Sequence, residues 1–131
     1  MSTDLFIPSL EQATKAIELV GSPLYLSDMA TIRERLQKLR KCFPPHTKIY
    51  YAMKANYNPD LLKGLLDLGL DGVDTVSPLE IQMALKCGFS KEQIIFTGNY
   101  SSREELAEVL QMGVLCNIGS LMELELLGQL H

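Results

Sequence analysis

The sequence predicts an α/β fold built from (β/α) TIM-barrel-type repeats. Four short runs of β-branched and aromatic residues recur along the chain, and a helix start signal follows each run. Leucine-rich amphipathic stretches come next and end at a glycine, so that the unit repeats every twenty to twenty-five residues or so. Repeats of this kind predict parallel strands joined by right-handed crossovers, with helices covering the sheet.

The strands are predicted from apolar runs that are too short to form stable helices. They are KIYYAM, GVDTV, QIIFTG and VLCNI, at residues 48–53, 72–76, 93–98 and 114–118. The earlier run SPLYLSD, at residues 22–28, is predicted as one more short strand, outside the repeating pattern.

The helix starts are predicted from side chains that accept hydrogen bonds from the first helical amides. Three Ser-x-x-Glu patterns match the capping box, in which the glutamate also reaches back to the start of the helix. The predicted caps of the repeats are Asn58, Ser77 with Glu80, Ser102 with Glu105, and Ser120 with Glu123.

Two further helices and three helix ends are also predicted. One helix runs from Leu10 to Val20, with Ser9 and Gln12 as a possible cap, and a charged helix starts at Asp28 and stops before Pro44. The glycines that are predicted to close helices of the repeats are Gly69, Gly88 and Gly113.

Two architectures could hold such repeats, an open doubly wound sheet and a closed (β/α)₈ barrel. The loop KANYNPD after the first repeat strand contains no glycine, whereas an open sheet of the nucleotide-binding type would place a glycine-rich loop there. A complete barrel needs about 250 residues. We therefore expect about the first half of a barrel over residues 47–131, preceded by a helix, a strand and a helix over residues 1–46.

Composition excludes several classes of partner. The chain has 131 residues and a net charge of −4, without a basic run that could neutralise nucleic acid. No apolar stretch is long enough to span a membrane.

Cys42, Cys87 and Cys116 lack a CxxC pair, so neither a disulfide framework nor a zinc site is indicated. They are predicted to be buried free thiols in a reducing cytoplasm.

Lys54 stands where the first repeat strand ends. The carboxyl ends of barrel strands form the reactive face of such folds, and strand alternation gives Lys54 the same direction as Tyr50 and the small Ala52. A lysine amine held at this edge can form an imine with an aldehyde or ketone. The alternative is a lysine that extends into solvent, and periodicity does not decide between the two.

Several segments in order resemble the pyridoxal-phosphate-dependent amino-acid decarboxylases of the alanine racemase-like barrel fold. These segments are PLYLSDMATIRERLQKLRKCF, IYYAMKANYNPDLLKGLLDLGLDGVDTVSPLEIQMALKCGFS, IIFTGNYSSREEL and VLCNIGSLMELELLG. The resemblance covers residues 20–131. It is strongest for the diaminopimelate decarboxylases, which make L-lysine and CO₂ from meso-2,6-diaminopimelate.

This resemblance implies roles for three residues. Lys54 would form the Schiff base with pyridoxal phosphate, Asp74 would be the acidic group close to that lysine, and Glu80 would lie at the same edge of the cofactor site. Each acidic residue also has a structural explanation, because Glu80 completes a capping box and Asp74 could accept hydrogen bonds from loop amides. Asn99 and Asn117, which end the third and fourth strands, are interpreted as turn residues.

The resemblance further implies an amino-acid substrate and a homodimer. The phosphate-binding loop, the partner of the pyridine nitrogen and the substrate carboxylate contacts are expected beyond His131, on later strands and in a C-terminal β-domain that is absent here. The strand predicted at residues 22–28 would belong to that β-domain. The isolated chain is therefore expected to be inactive and to self-associate through its open sheet edges. Alternatives are an ornithine, arginine or carboxynorspermidine decarboxylase, or a non-catalytic pyridoxal-phosphate-binding or regulatory module.

Overall fold

The computed structural model describes residues 6–99 and 101–130, which form six α-helices and four β-strands. The chain divides into two units, Met1–Cys42 and Phe43–His131. None of the helices in the described residues has the length and apolarity that crossing a lipid bilayer requires. In chain order the elements are α1 (Leu10–Val20), α2 (Met29–Lys41), β1 (Tyr50–Ala52), α3 (Pro59–Asp67), β2 (Gly72–Thr75), α4 (Pro78–Lys86), β3 (Ile94–Phe96), α5 (Arg103–Met112), β4 (Leu115–Cys116) and α6 (Leu121–Leu130).

The first unit consists of the two predicted helices. α1 begins with a capping box, in which the Gln12 amide donates to Ser9 Oγ at 3.2 Å and the Ser9 amide donates to Gln12 Oε1 at 2.9 Å. α2 begins at the carboxylate of Asp28, which accepts from the amides of Ala30 and Thr31. The Thr31 hydroxyl also donates to this carboxylate and is the main reason that the pKa of Asp28 is lowered.

The strand predicted over residues 22–28 is wrong. The segment between Gly21 and Asp28 contains a bend and irregular backbone, and none of the four described strands pairs with it. A strand is stable only beside another strand or a covering layer that satisfies its backbone. The leucines and the tyrosine of this segment therefore do not suffice to form one.

The second unit contains a parallel sheet in which the strand order follows the chain order, β1-β2-β3-β4. An open doubly wound sheet reverses its strand order at a switch point, whereas consecutive neighbours are the arrangement of a barrel wall. The register places Ala52 beside Asp74 and Asp74 beside Ile95. The sheet confirms the predicted fold class, and β1 and β4 are its two edges within the described residues.

The two faces of this sheet differ in burial. Val73, Thr75, Ile94 and Phe96 are almost completely buried, while Asp74, which alternates with them, is only half-buried. The buried face carries the helices, and the other face is the inner face of the predicted barrel. The apolar core also includes Met53, Leu62, Leu65, Leu70, Ile81, Ala84, Cys87, Phe89, Leu106 and Val109.

The predicted helix caps form in the second unit. Asn58 Oδ1 accepts from the amides of Asp60 and Leu61 at the start of α3. α5 begins with a complete capping box, in which the Glu105 amide donates to Ser102 Oγ and the Ser102 amide donates to Glu105 Oε2. The three glycines that were predicted to close helices all have positive φ, which is the backbone conformation that glycine adopts most readily.

In α4 and α6 the glutamate reaches one residue further back than a capping box requires. Glu80 Oε2 accepts from the Val76 amide at 2.8 Å, and Glu123 Oε2 accepts from the Gly119 amide at 2.8 Å. The serine half of each cap is present, as in the bond from the Glu80 amide to Ser77 Oγ. These glutamates therefore tie the end of the preceding loop to the first turn of the helix.

The prediction of three buried thiols is correct for Cys87 and wrong for Cys42. Cys42 is exposed because it lies at the carboxyl end of α2, where its Sγ contacts the carbonyl oxygen of Lys38 at 3.3 Å. Cys116 is half-buried, and burial raises the pKa of its thiol. All three are free cysteines.

Candidate functional site

Lys54 lies in a 3₁₀ turn, Met53–Ala55, directly after β1. β1 ends at Ala52, so strand alternation stops before it reaches the lysine. Met53 is fully buried and holds the turn against the core, whereas the Lys54 side chain is exposed. Within residues 6–99 and 101–130, no hydrogen bond or ion pair engages its ammonium group. The amine is accessible and is not occupied by a structural interaction.

The loop that carries Lys54 is fixed by two hydrogen bonds. The Tyr51 hydroxyl donates to the carbonyl oxygen of Asn56 at 3.2 Å, and the Asn58 amide donates to Asn56 Oδ1 at 3.0 Å. Burial raises the pKa of the Tyr51 hydroxyl above its usual value of 10.0, so this donor stays protonated well beyond neutral pH. The Lys54 turn is thus held between the end of β1 and the start of α3.

Ionisation of Tyr51 is expected to destabilise this loop at alkaline pH. The raised pKa means that Tyr51 contributes stability below about pH 10, and that this contribution is lost as the pH rises through the folded-state value. Urea unfolding of the wild type and Tyr51→Phe across this range should show a steeper alkaline loss of stability in the wild type. Tyr57→Phe, at a side chain that is 59% exposed, is the control and should retain the wild-type slope. Parallel curves for the wild type and Tyr51→Phe would contradict the prediction.

Asp74 ends a row of polar side chains that crosses three strand ends. The Thr97 hydroxyl donates to Asp74 Oδ1 at 2.5 Å, and Asn117 Nδ2 donates to Thr97 Oγ1 at 2.9 Å. Asp74 is in β2, while Thr97 and Asn117 immediately follow β3 and β4. Among the described residues the Asp74 carboxylate accepts from this side-chain hydroxyl and not from the loop amides considered above.

Sequence reasoning missed this row. Thr97 was not singled out, and Asn117 was interpreted as a turn residue. Each lies near the carboxyl end of a predicted strand, and parallel strands end at a common edge, so an alignment of strand ends could have brought them together with Asp74. We refer to Asp74, Thr97 and Asn117 below as the strand-end row.

Lys54 and Asp74 lie at the same end of neighbouring strands. Ala52, two residues before Lys54, is the register partner of Asp74, and its small side chain leaves space on the inner face. Glu80 lies further along, in the first turn of α4, and Val76 occupies its Oε2. Lys54 and Asp74 therefore lie at the ends of adjacent strands, whereas Glu80 stabilises the loop between β2 and α4.

A separate open cavity of about 440 Å³ lies beside the loops before α5 and α6. Its lining includes Asn99, which was interpreted as a turn residue, and Glu123, which is buried in its capping interaction. The other lining residues are Ser101, Gly119, Ser120, Met122 and Leu126. Lys54, Asp74 and Glu80 do not line this cavity.

Comparison with known proteins adds independent information. Residues 29–131 match the family described as pyridoxal-dependent decarboxylase, pyridoxal binding domain. The diaminopimelate decarboxylase of Aquifex aeolicus is 37% identical over 128 residues, which is 97% of this chain and 30% of that protein. The L-glutamyl-(BtrI acyl-carrier protein) decarboxylase of Niallia circulans is 36% identical over 117 residues, or 88% of this chain and 27% of that protein.

A solved structure agrees with these matches. The crystal structure of diaminopimelate decarboxylase from Helicobacter pylori, complexed with L-lysine, superposes with a TM-score of 0.78 at 32% identity. The superposition covers 90% of this chain and 30% of that one. The chain thus spans about 30% of the length of the relatives that it matches. Because the family match extends over most of its residues, the chain belongs to the pyridoxal-dependent decarboxylases, enzymes that use pyridoxal phosphate as their cofactor.

Proposed function

We propose that this chain supplies the lysine that anchors pyridoxal phosphate in a decarboxylase acting on meso-2,6-diaminopimelate. In this proposal Lys54 is the catalytic residue and holds the cofactor through Nζ, while Asp74 and Glu80 complete its edge of the cofactor site. The products would be L-lysine and CO₂. The substrate is inferred from the relatives in Aquifex aeolicus and Helicobacter pylori, whose names state this activity.

The observation that carries the proposal is the accessible amine of Lys54 in the turn directly after β1, the strand that pairs with the strand of Asp74. An aldehyde cofactor requires a primary amine that is not tied up in an ion pair, and Lys54 meets this requirement among the described residues. The fixed 3₁₀ turn presents that amine from a rigid base, since Met53 beneath it is fully buried. The small side chain of Ala52, the register partner of Asp74, takes up little room on the inner face at this point.

The chemistry divides between the cofactor and the chain. When bound, pyridoxal phosphate supplies an electron sink for the electron pair that is left as CO₂ departs. The chain contributes orientation through the fixed Lys54 turn and a carboxylate at Asp74 that is held by Thr97. The Lys54 amine can in addition move a proton to or from a reacting carbon, as a general acid or base within reach.

Borohydride trapping tests this proposal directly. The whole protein is mixed with pyridoxal phosphate, visible imine absorbance is recorded, and the imine is reduced and mapped by peptide mass spectrometry. We expect the label on Lys54, because its turn is fixed and its amine is free. Lys48 is the internal control, since it is exposed and precedes β1 at the opposite end of the same strand. Equal labelling of Lys48 and Lys54 would overturn the proposal.

Glu80 can be tested for its two roles separately. Glu80→Gln keeps an oxygen that can accept from the Val76 amide but removes the charge, whereas Glu80→Ala removes both. Loss of the capping interaction should lower the free energy of unfolding by about 1 kcal/mol in Glu80→Ala and by less in Glu80→Gln. If Glu80 also borders the cofactor, both variants should weaken imine formation at Lys54. Normal imine formation in both would leave Glu80 with the structural role alone.

A second candidate substrate class is supported by one relative. The Niallia circulans protein, at 36% identity, is named for decarboxylation of a carrier-bound glutamyl group. This chain is about equally similar to decarboxylases with different substrates. We therefore infer that the residues that select the substrate lie outside the matched segment. Release of CO₂ by the whole protein from meso-2,6-diaminopimelate, a carrier-bound glutamyl group, ornithine, arginine and carboxynorspermidine would separate these candidates. A preference for any of the last four would replace the proposed substrate and leave the role of Lys54 intact.

We also infer a homodimeric, cytoplasmic enzyme for the whole protein. The inference draws on the resemblance to the decarboxylases and on the three cysteines, which are free thiols. Light scattering of the whole protein at increasing concentration would detect the dimer. A monomer at every concentration would reject that part of the proposal.

A further inference from the structure

We propose that Thr97 and Asn117 are positioning residues that fix the Asp74 carboxylate in one orientation beside the Lys54 turn. The inference rests on the proposed function, because the orientation of Asp74 matters only if a group bound at Lys54 meets it. It assigns a role to two residues outside the family motif that identifies Lys54. The evidence is the pair of hydrogen bonds that link the strand-end row.

The hydrogen bonds of the strand-end row can be donated in only one direction. The hydroxyl of Thr97 has one proton, and an ionised carboxylate can only accept, so this proton must go to Asp74 Oδ1. Thr97 Oγ1 then accepts from Nδ2 of Asn117, which leaves no competing acceptor on that side. Asn117 thereby selects the hydroxyl rotamer that Asp74 needs.

The row also separates the two oxygens of Asp74. Thr97 occupies Oδ1, and among residues 6–99 and 101–130 no donor engages Oδ2. The hydrogen bond to Oδ1 limits rotation of the carboxylate, so that Oδ2 remains available to a bound group. A carboxylate without this restraint would sample several orientations, and ordering it on binding would weaken the interaction.

A purely structural explanation is that the row only joins the ends of β2, β3 and β4. Both explanations predict that Thr97→Val lowers stability, so stability alone cannot distinguish them. They differ in what happens without Asp74. If Thr97 acts by positioning, Thr97→Val should have no effect on cofactor capture once Asp74 is alanine, whereas a general loosening of the sheet would weaken capture in either background.

The test therefore measures imine formation at Lys54 as a function of pyridoxal phosphate concentration in a set of single and double variants. Thr97→Val keeps the side-chain volume and removes the hydroxyl. Asn117→Asp keeps the shape and replaces the donor by an acceptor that competes for the Thr97 proton. The matched control is Asn99→Asp, which adds the same charge at a neighbouring strand end but has no contact with Thr97 among the described hydrogen bonds.

We expect Thr97→Val and Asn117→Asp each to weaken imine formation about tenfold, the size of one lost hydrogen bond to a charged group. Asn117→Ala should be milder, because Thr97 keeps its proton for Asp74. Asn99→Asp should match the wild type, and the effect of Thr97→Val should vanish in Asp74→Ala.

The outcomes separate the two proposals. If the wild type forms no imine at Lys54, the proposed function is rejected, and the positioning role falls with it. If the wild type forms the imine and Thr97→Val forms it equally well, the positioning role alone is overturned. The same holds if Thr97→Val weakens imine formation as much in the Asp74→Ala background as in the wild type. Equal effects of Asn117→Asp and Asn99→Asp would also overturn it, since charge alone would then explain them.

Discussion

Lys54→Arg should abolish imine formation with pyridoxal phosphate and lower decarboxylation by the whole protein at least about a thousandfold, as expected for loss of a covalent nucleophile. Arginine retains the positive charge and similar reach, but its guanidinium stays protonated and cannot act as an amine. The change should leave the fold intact, because Lys54 is exposed and has no partner among the described residues. A loss of imine formation in Lys54→Arg can then be attributed to the missing amine and not to unfolding.

Lys48→Arg provides the matched control. Lys48 is also exposed and precedes the same strand, but at the amino end, away from the predicted reactive face. Imine absorbance, borohydride labelling and CO₂ release should be unchanged in this variant. If Lys54→Arg released CO₂ normally and borohydride labelled another lysine, that other lysine would be the anchor of the cofactor.

Phe96→Ala should give a large loss of stability in the second unit, about 3–5 kcal/mol. Phe96 is 1% exposed in β3, where its register neighbours are Thr75 and Cys116. Its ring also packs against Gly98, where an added Cβ would lie 2.2 Å from the ring atom Cζ. Removing the ring leaves a cavity in the centre of the sheet, and domains of this size are only about 5–15 kcal/mol stable in total.

Leu115→Ala is the control for Phe96→Ala, because Leu115 belongs to the neighbouring strand but is 63% exposed. Urea unfolding should show a midpoint close to the wild type for Leu115→Ala and a much lower midpoint for Phe96→Ala. Similar midpoints for both variants would mean that the sheet does not pack around Phe96 as described.

The parts of the fold that were predicted correctly depend on short-range signals. Caps such as Asn58 and Ser102 act within one turn of their own helix, so composition and spacing suffice to find them. The strand wrongly predicted over residues 22–28 depends on a partner that no local pattern can supply. Cys42 was misplaced for a related reason, because the usual burial of cysteine is a preference and its position at the end of α2 decides its exposure.

In the candidate site, too, features that depend on neighbouring residues could be predicted and features that depend on distant residues could not. Lys54 and Asp74 could be singled out because each belongs to a recognisable motif at a strand end. The link from Asp74 to Thr97 and Asn117 could not be predicted, since it spans 23 and 20 residues and depends on the register of three strands. Register is fixed when strands pair and bury one face, so one segment considered alone does not reveal which residues of another strand it will meet.

The local closure of each βα connection has a consequence for how such a protein can change. The bonds that hold the starts of α3, α4, α5 and α6 join residues no more than four positions apart. The β1–α3 and β2–α4 connections are therefore closed within themselves, whereas Thr97 and Asn117 link the next two connections to each other and to Asp74. Exchanging one of the first two for the equivalent segment of another decarboxylase should leave the other connections undisturbed. Grafting at these two positions would thus be a practical route to altered cofactor sites on an unchanged frame.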